Sequence, residues 1–287
     1  MIIITDPRCT EYRTLGHPEK PTRVSRTVDA LRNQKVLSIE WVEPELAQDT
    51  QLLRAHPQSH LDRLRVPQDF DGDTTAHPGI DEHARRSVAG GLRAVEVARR
   101  GEIPFSLLRP PGHHATKNQA MGFCYLSSMA IAVLEALATG SKRVAVLDFD
   151  VHHGNGTEDV LRDQPGALFC SIHQHPCYPG TGTTNIGSNC FNYPLVPATP
   201  RANWMRTILQ ALERIAAFKP DLIGVSAGFD AYARDPLANG TLEKEDFRSI
   251  GAELRKLSIP TFSILEGGYS VDLPELILHY LLGLAGK

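Results

Sequence analysis

No apolar run in this 287-residue chain reaches the ~18 residues that a membrane span requires. The opening MIIITDPR has no basic stretch ahead of its short apolar run, so it is expected to form a first strand rather than a secretory leader. Positive charge is neither abundant nor clustered: 30 Lys and Arg stand against 33 Asp and Glu, a formal net charge of −3. Without a basic patch there is little counterion release to drive nucleic-acid binding. Neither a nucleic acid nor a membrane is therefore an expected partner. Cysteine is sparse too. Cys9, Cys124, Cys170, Cys177 and Cys190 are odd in number, widely spaced and never in a C-x-x-C pair. That pattern argues against a disulfide framework or a thiolate zinc site and suits reduced packing residues in a cytoplasmic protein. Linkers, repeats and low-complexity segments are also missing, so residues 1–287 read as a single domain.

What is present is an alternation. IIIT, FSLLRP, RVAVLDFDV, ALFCSIH, LIGVSAGFD and TFSILEGG read as strands. Helical patterns lie between them at 81–100, 124–138, 202–218 and 243–257, the last with Thr241 as its expected cap. Continuous apolar strands separated by helices predict an α/β fold with a mostly parallel sheet covered on both faces. Ligands of such sheets bind beyond the carboxyl ends of the strands. Three strands end there in polar clusters: RVAVLDFDVHHGNG, LIGVSAGFDAYARDPL and TFSILEGGYS.

In RVAVLDFDVHHG the two-residue period puts Asp148, Asp150 and His152 on one side and Leu147, Phe149 and Val151 on the other. Two buried aspartates on one face cost several kcal/mol unless a cation or donors compensate, and a divalent metal is the economical answer. The same period selects His152 as ligand and sets His153 aside. The competing reading is a strand end whose Asp and His residues cap the next helix around Asn155. Asp230, after LIGVSAG, supplies a third ligand, although alone it would read as a turn aspartate. Asp150, His152 and Asp230 leave one coordination position open, as catalytic zinc sites do.

RPPGHHA at the end of another strand brings His113 and His114 to the same crevice, where a general base and acid are needed for attack on an amide. Asp148 and Asn155 are positioned to orient one imidazole each, which would leave one ring more cationic and the other more neutral. Gly267 and Gly268 allow a tight turn that presents Tyr269, an oxyanion donor of a kind worth about 10²- to 10³-fold. A packed aromatic is the plainer reading of a lone GGY.

These stretches, with HPEKPTR at 17–23, GFCYLSSMAIAV at 122–133, YPGTG at 178–182 and LEGGY at 265–269, resemble the histone deacetylase superfamily, in particular its class II-like and bacterial amidohydrolase members, including acetylpolyamine amidohydrolases. The resemblance implies a three-layer αβα arginase-deacetylase fold and zinc held by Asp150, His152 and Asp230. It implies His114 as general base and acid, His113 paired with Asp148 as electrostatic partner, and Tyr269 polarising the acyl carbonyl. It further implies a structural potassium ion at Asp148 and Ser171, and an acyl-lysine tunnel walled by Gly122, Phe123, Tyr178 and Gly268.

The implied activity is deacylation of an acetyl-lysine or acetylpolyamine amine. Tyr178 stands where relatives often carry phenylalanine, in a compact rim loop, so the family speaks for deacylation more than for a histone target. The donor set would also accept Fe²⁺. A binuclear manganese ureohydrolase would need a D-x-H-x-D strand instead of the D-x-D-x-H found here. A silent acyl-lysine binding module would not need both histidines and Tyr269. The loop acids Asp69, Asp71 and Asp73 read as a solvated turn or as an attractor for a cationic substrate.

Overall fold

The computed structural model describes residues 1–287. Its strands are β1 (Ile2–Ile4), β2 (Glu40–Val42), β3 (Pro104–Ser106), β4 (Val144–Asp148), β5 (Ala167–Gln174), β6 (Cys190–Leu195), β7 (Leu222–Ala227) and β8 (Thr261–Leu265). The helices are α1 (Thr22–Asn33), α2 (Asp49–Leu52), α3 (Gln58–Arg63), α4 (Ile80–Arg99), α5 (Ser128–Ala138), α6 (Asn155–Leu161), α7 (Arg201–Phe218), α8 (Lys244–Lys256) and α9 (Leu273–Ala285). All eight strands join one sheet in the order β2-β1-β3-β8-β7-β4-β5-β6, and each neighbouring pair is parallel.

Alternation within the strands sorts the core into two layers. Ile3, Phe105, Leu147, Ile223 and Val225 join an apolar cluster closed by α7, α8 and α9. Ile2, Ile4, Val144, Val146 and Phe169 face the other way, against α4 and α5. With both faces dry, β4 and β7 are apolar throughout their central residues, as a doubly covered parallel sheet requires. The expected αβα layering is the architecture found. No helix is long and apolar enough to cross a membrane.

Four local differences stand out. β2 and β6 are absent from the sequence reading because both are only partly buried, and β6, CFNYPL, is interrupted by Asn192 and Pro194, so neither shows a clean apolar run. Helix α1 escapes it because its inner face includes the buried polar residues Arg23 and Thr27 beside Val24 and Leu31. Helix α8 is capped by Glu243, not Thr241: Asp246 accepts the Glu243 N–H (2.9 Å), while the Thr241 hydroxyl donates to the Thr199 carbonyl (2.7 Å). The β4 ladder also stops at Asp148, two residues before the first expected ligand. The alternation outlives the ladder, since Phe149 and Val151 still enter the apolar cluster.

The four central strands β3, β8, β7 and β4 are contiguous in the sheet. Their carboxyl ends lead into His113 and His114, Glu266 to Tyr269, Asp230, and Asp148 to His152. The topology thus gathers residues more than a hundred positions apart over one sheet edge.

Candidate active site

Asp150, His152 and Asp230 are buried and offer ligand atoms that all lie within 4.8 Å of one another. Each carboxylate is oriented by the backbone. Asp150 Oδ2 accepts the Gly267 N–H (2.7 Å), and Asp230 Oδ1 accepts the Val151 N–H (2.8 Å). The other oxygens, Asp150 Oδ1 and Asp230 Oδ2, both lie 3.1 Å from Nδ1 of His152. A Cβ at Gly228 would strike Asp150, and one at Gly267 would strike both aspartates, so the backbone can close on the carboxylates only as glycine.

This trio fits a divalent cation. Burial and the Asp150 charge push Asp230 above its ordinary pKa, which marks a cluster short of positive charge. Two carboxylates already fixed by backbone donors, with their remaining oxygens turned toward one imidazole nitrogen, are a preformed ligand set. His153 takes no part. It is buried, with Nδ1 2.8 Å from the Thr181 hydroxyl and Nε2 3.4 Å from Glu158.

The histidine pair sits beside the trio, its ring centroids 4.0 Å apart. Nδ1 of His113 meets Asp148 Oδ2 at 3.1 Å, and Nδ1 of His114 meets Asn155 Oδ1 at 2.8 Å. An amide oxygen only accepts, so His114 carries its proton on Nδ1 and leaves Nε2 with a lone pair. Burial alone would lower the pKa of His113, but the charges of Asp150 and Asp148 raise it to about 10. Burial and the charge of the neighbouring His113 drive His114 far below its ordinary value. The two rings are therefore unlike, His113 held protonated and His114 neutral.

A cavity of about 200 Å³ opens over these groups, lined by Asp73, His114, Gly122, Phe123, His152, Tyr178, Leu237 and Tyr269. Tyr178 is 43% exposed and meets the His114 ring edge-on at 5.0 Å. Phe123 packs edge-on against Tyr269 at 5.9 Å. Enclosure holds the Tyr269 phenol well above its ordinary pKa, and so protonated. Gly268 does not line the cavity. Its carbonyl instead accepts from Arg23 Nε (2.7 Å) behind the tyrosine. Of the loop acids, Asp69 accepts the Ala76 N–H (2.8 Å) and Asp71 those of Asp73 (2.9 Å) and Thr74 (2.6 Å). Asp73 alone turns its residue toward the cavity. Ser171, buried, is the register partner of Asp148 on the adjacent strand and bonds His173 Nδ1 at 2.9 Å. A larger hollow of about 490 Å³ lies between residues 42–51 and α4 and is lined by none of these residues.

Sequence reasoning misses several supports. Glu266, fully buried, accepts the N–H groups of Gly112 (2.7 Å) and His113 (3.1 Å) and so fixes the turn that carries the pair. Glu19 is buried between Arg23 and Arg109. The available signal is a carboxylate inside each of the motifs HPEKPTR and LEGGY, with no solvated role to play.

A parallel αβα sheet that brings a buried carboxylate–imidazole trio and a split histidine pair to one cavity defines a metal-dependent α/β hydrolase. A model of the histone deacetylase domain matches residues 17–283. The chain is 38% identical to a histone deacetylase-like amidohydrolase of Pseudomonas aeruginosa, over 89% of this chain and 73% of that one. It is 39% identical to acetylpolyamine amidohydrolase 2 of the same organism, over 84% and 71%. The crystal structure of the HD domain of HDA15 superposes with a TM-score of 0.93 at 29% identity, covering 100% of this chain and 89% of that one. The chain belongs to the histone deacetylase family, and its activity is that of an amidohydrolase.

Proposed function

We propose that residues 1–287 act as a single catalytic domain, a cytoplasmic zinc-dependent deacylase that cleaves the amide of an N-acetyl or other N-acyl lysine-like or polyamine substrate. The observation that carries this reading is that His152 of the trio, His114 and Tyr269 all line one cavity of about 200 Å³. Asp150, His152 and Asp230 would hold the ion. When bound, it supplies a Lewis acid and lowers the pKa of water to about 7.

The chain's own residues supply the rest. Nε2 of His114 takes the proton of the attacking water and passes it to the departing amine. Tyr269 donates its phenolic proton in a hydrogen bond to the acyl oxygen as negative charge develops there. His113, kept cationic between Asp148 and Asp150, stabilises that charge. The products are a carboxylate and a free amine. Zinc is the proposed ion and Fe²⁺ the alternative, because two carboxylates and an imidazole form a harder donor set than thiolates. A potassium ion at Asp148 and Ser171, buried partners on β4 and β5, completes the proposal.

Relatives named acetylpolyamine amidohydrolase, together with Asp73 at the cavity, favour a substrate whose amine side is cationic. The test loads metal-free protein with Zn²⁺ or Fe²⁺ and compares turnover of an acetyl-lysine amide, an acetylpolyamine and a longer acyl amide. One ion per chain and turnover blocked by a hydroxamate are expected; two ions would favour a ureohydrolase, and binding without turnover a silent module. Tyr269→Phe should lower kcat by about 10²- to 10³-fold with metal content unchanged. Normal turnover in that variant refutes the tyrosine's role.

A further inference from the structure

Tyr269 follows two glycines, the second at φ 115°, so nothing in its own segment fixes where the hydroxyl stands. Two outside groups grip that segment. Arg23 holds its carbonyls, donating from Nε to Gly268 (2.7 Å) and from Nη2 to Glu266 (2.5 Å). On the amide side stands Asp235, five residues beyond Asp230 and only 7% exposed. Its Oδ2 accepts the N–H of Tyr269 (2.6 Å) and of Ser270 (3.1 Å). Its Oδ1 accepts the N–H of Leu237 (3.0 Å), another residue of the cavity lining.

We propose that Asp235 is a positioning residue for the oxyanion donor: one carboxylate that ties the loop after β7 to the loop after β8 and thereby sets Tyr269 over the acyl carbonyl. The consequence for turnover rests on the deacylase reading above; the clamp itself does not. Three N–H groups converge on this side chain from two directions, and only a carboxylate presents acceptors to both. An asparagine would satisfy one side and turn its own NH₂ against the donors on the other. The geometric tolerance of the step makes the clamp matter, because a displacement of about 1 Å in a catalytic group can cost about 10²-fold in rate.

The experiment is a double-mutant cycle on the metal-loaded enzyme with an acetyl-lysine amide. Asp235→Asn should lower kcat by about 10- to 10²-fold in the unsubstituted background, but by less than about twofold once Tyr269→Phe is present, because the group it positions is gone. An equal loss in both backgrounds overturns the proposal, since a merely structural residue costs the same with or without the phenol. Hydrogen exchange on the unsubstituted protein gives an independent test should Asp235→Asn not fold. The amides of Tyr269 and Ser270 are expected to be protected, and free exchange at both overturns the clamp. If the unsubstituted enzyme turns over no acyl amide, the deacylase reading falls, and amide exchange alone still tests the clamp.

Discussion

Two strand ends in this protein carry adjacent histidines, and the two pairs are used differently. After β3 the chain turns at His113 and His114, so consecutive side chains reach the same side and their rings lie 4.0 Å apart. After β4 the side chains keep alternating. His152 joins Asp150 and Asp230, while His153 points away to Thr181 and Glu158. Backbone path decides which imidazoles meet the site, and the surroundings then set each ring's charge: the carboxylates of Asp150 and Asp148 keep His113 protonated, whereas burial and the charge of His113 keep His114 neutral.

The largest expected effect breaks the β4 pair. His152→Ala should abolish stoichiometric metal binding and reduce turnover to background. His153→Ala should keep one ion per chain and lose about 1–3 kcal/mol of stability instead, the cost of stranding buried hydrogen-bond partners. Metal analysis and denaturant unfolding of the two variants decide between these roles, and the assignment fails should His153→Ala be the one that loses metal. Next comes the β3 pair. His114→Ala removes the proposed general base and should lower kcat by about 10²- to 10⁴-fold. His113→Asn should cost less, since the proposed part of that ring is to shape the field without moving the proton. A larger loss at 113 than at 114 would reverse their roles.

The contrast also marks what a sequence reveals. The D-x-D-x-H spacing makes the ligand face legible because alternation persists past the strand, even though the ladder stops at Asp148. Asp230 becomes legible once a parallel sheet is inferred, because every such strand ends on the same edge. Glu266 and Asp235 stay hidden for a common reason. Their backbone partners are N–H groups, at 112 and 113 on another loop for Glu266, and at 269 and 270 on another loop and 237 on its own for Asp235. No side-chain pattern announces a backbone donor. Helix α9 hides differently: its sequence LPELILHYLLGLA is apolar on most sides, so no amphipathic stripe stands out.

A third histidine pair sharpens the comparison at the smallest scale. His56 and His60 stack with centroids 4.5 Å apart and planes 18° from parallel. Neither is paired with a carboxylate: His56 Nδ1 meets the Lys117 carbonyl and its Nε2 accepts the Ser127 N–H, both at 3.0 Å, which fixes the neutral form. Burial, helped by His60, lowers His56 to about 3. That value lies below the ordinary 6.5, so the unfolded chain takes up the proton first. The stability His56 contributes is whole above pH 6.5 and is lost as the pH falls toward 3. One such group changes the unfolding free energy by about 1.4 kcal/mol per pH unit within that window. His56→Asn keeps a donor for Lys117 but cannot titrate, so its unfolding free energy should fall less steeply between pH 7 and 5 than that of the unsubstituted protein. Equal slopes would move the acid sensitivity to another buried imidazole, of which His173, also lowered to about 3 mainly by burial, is next in line.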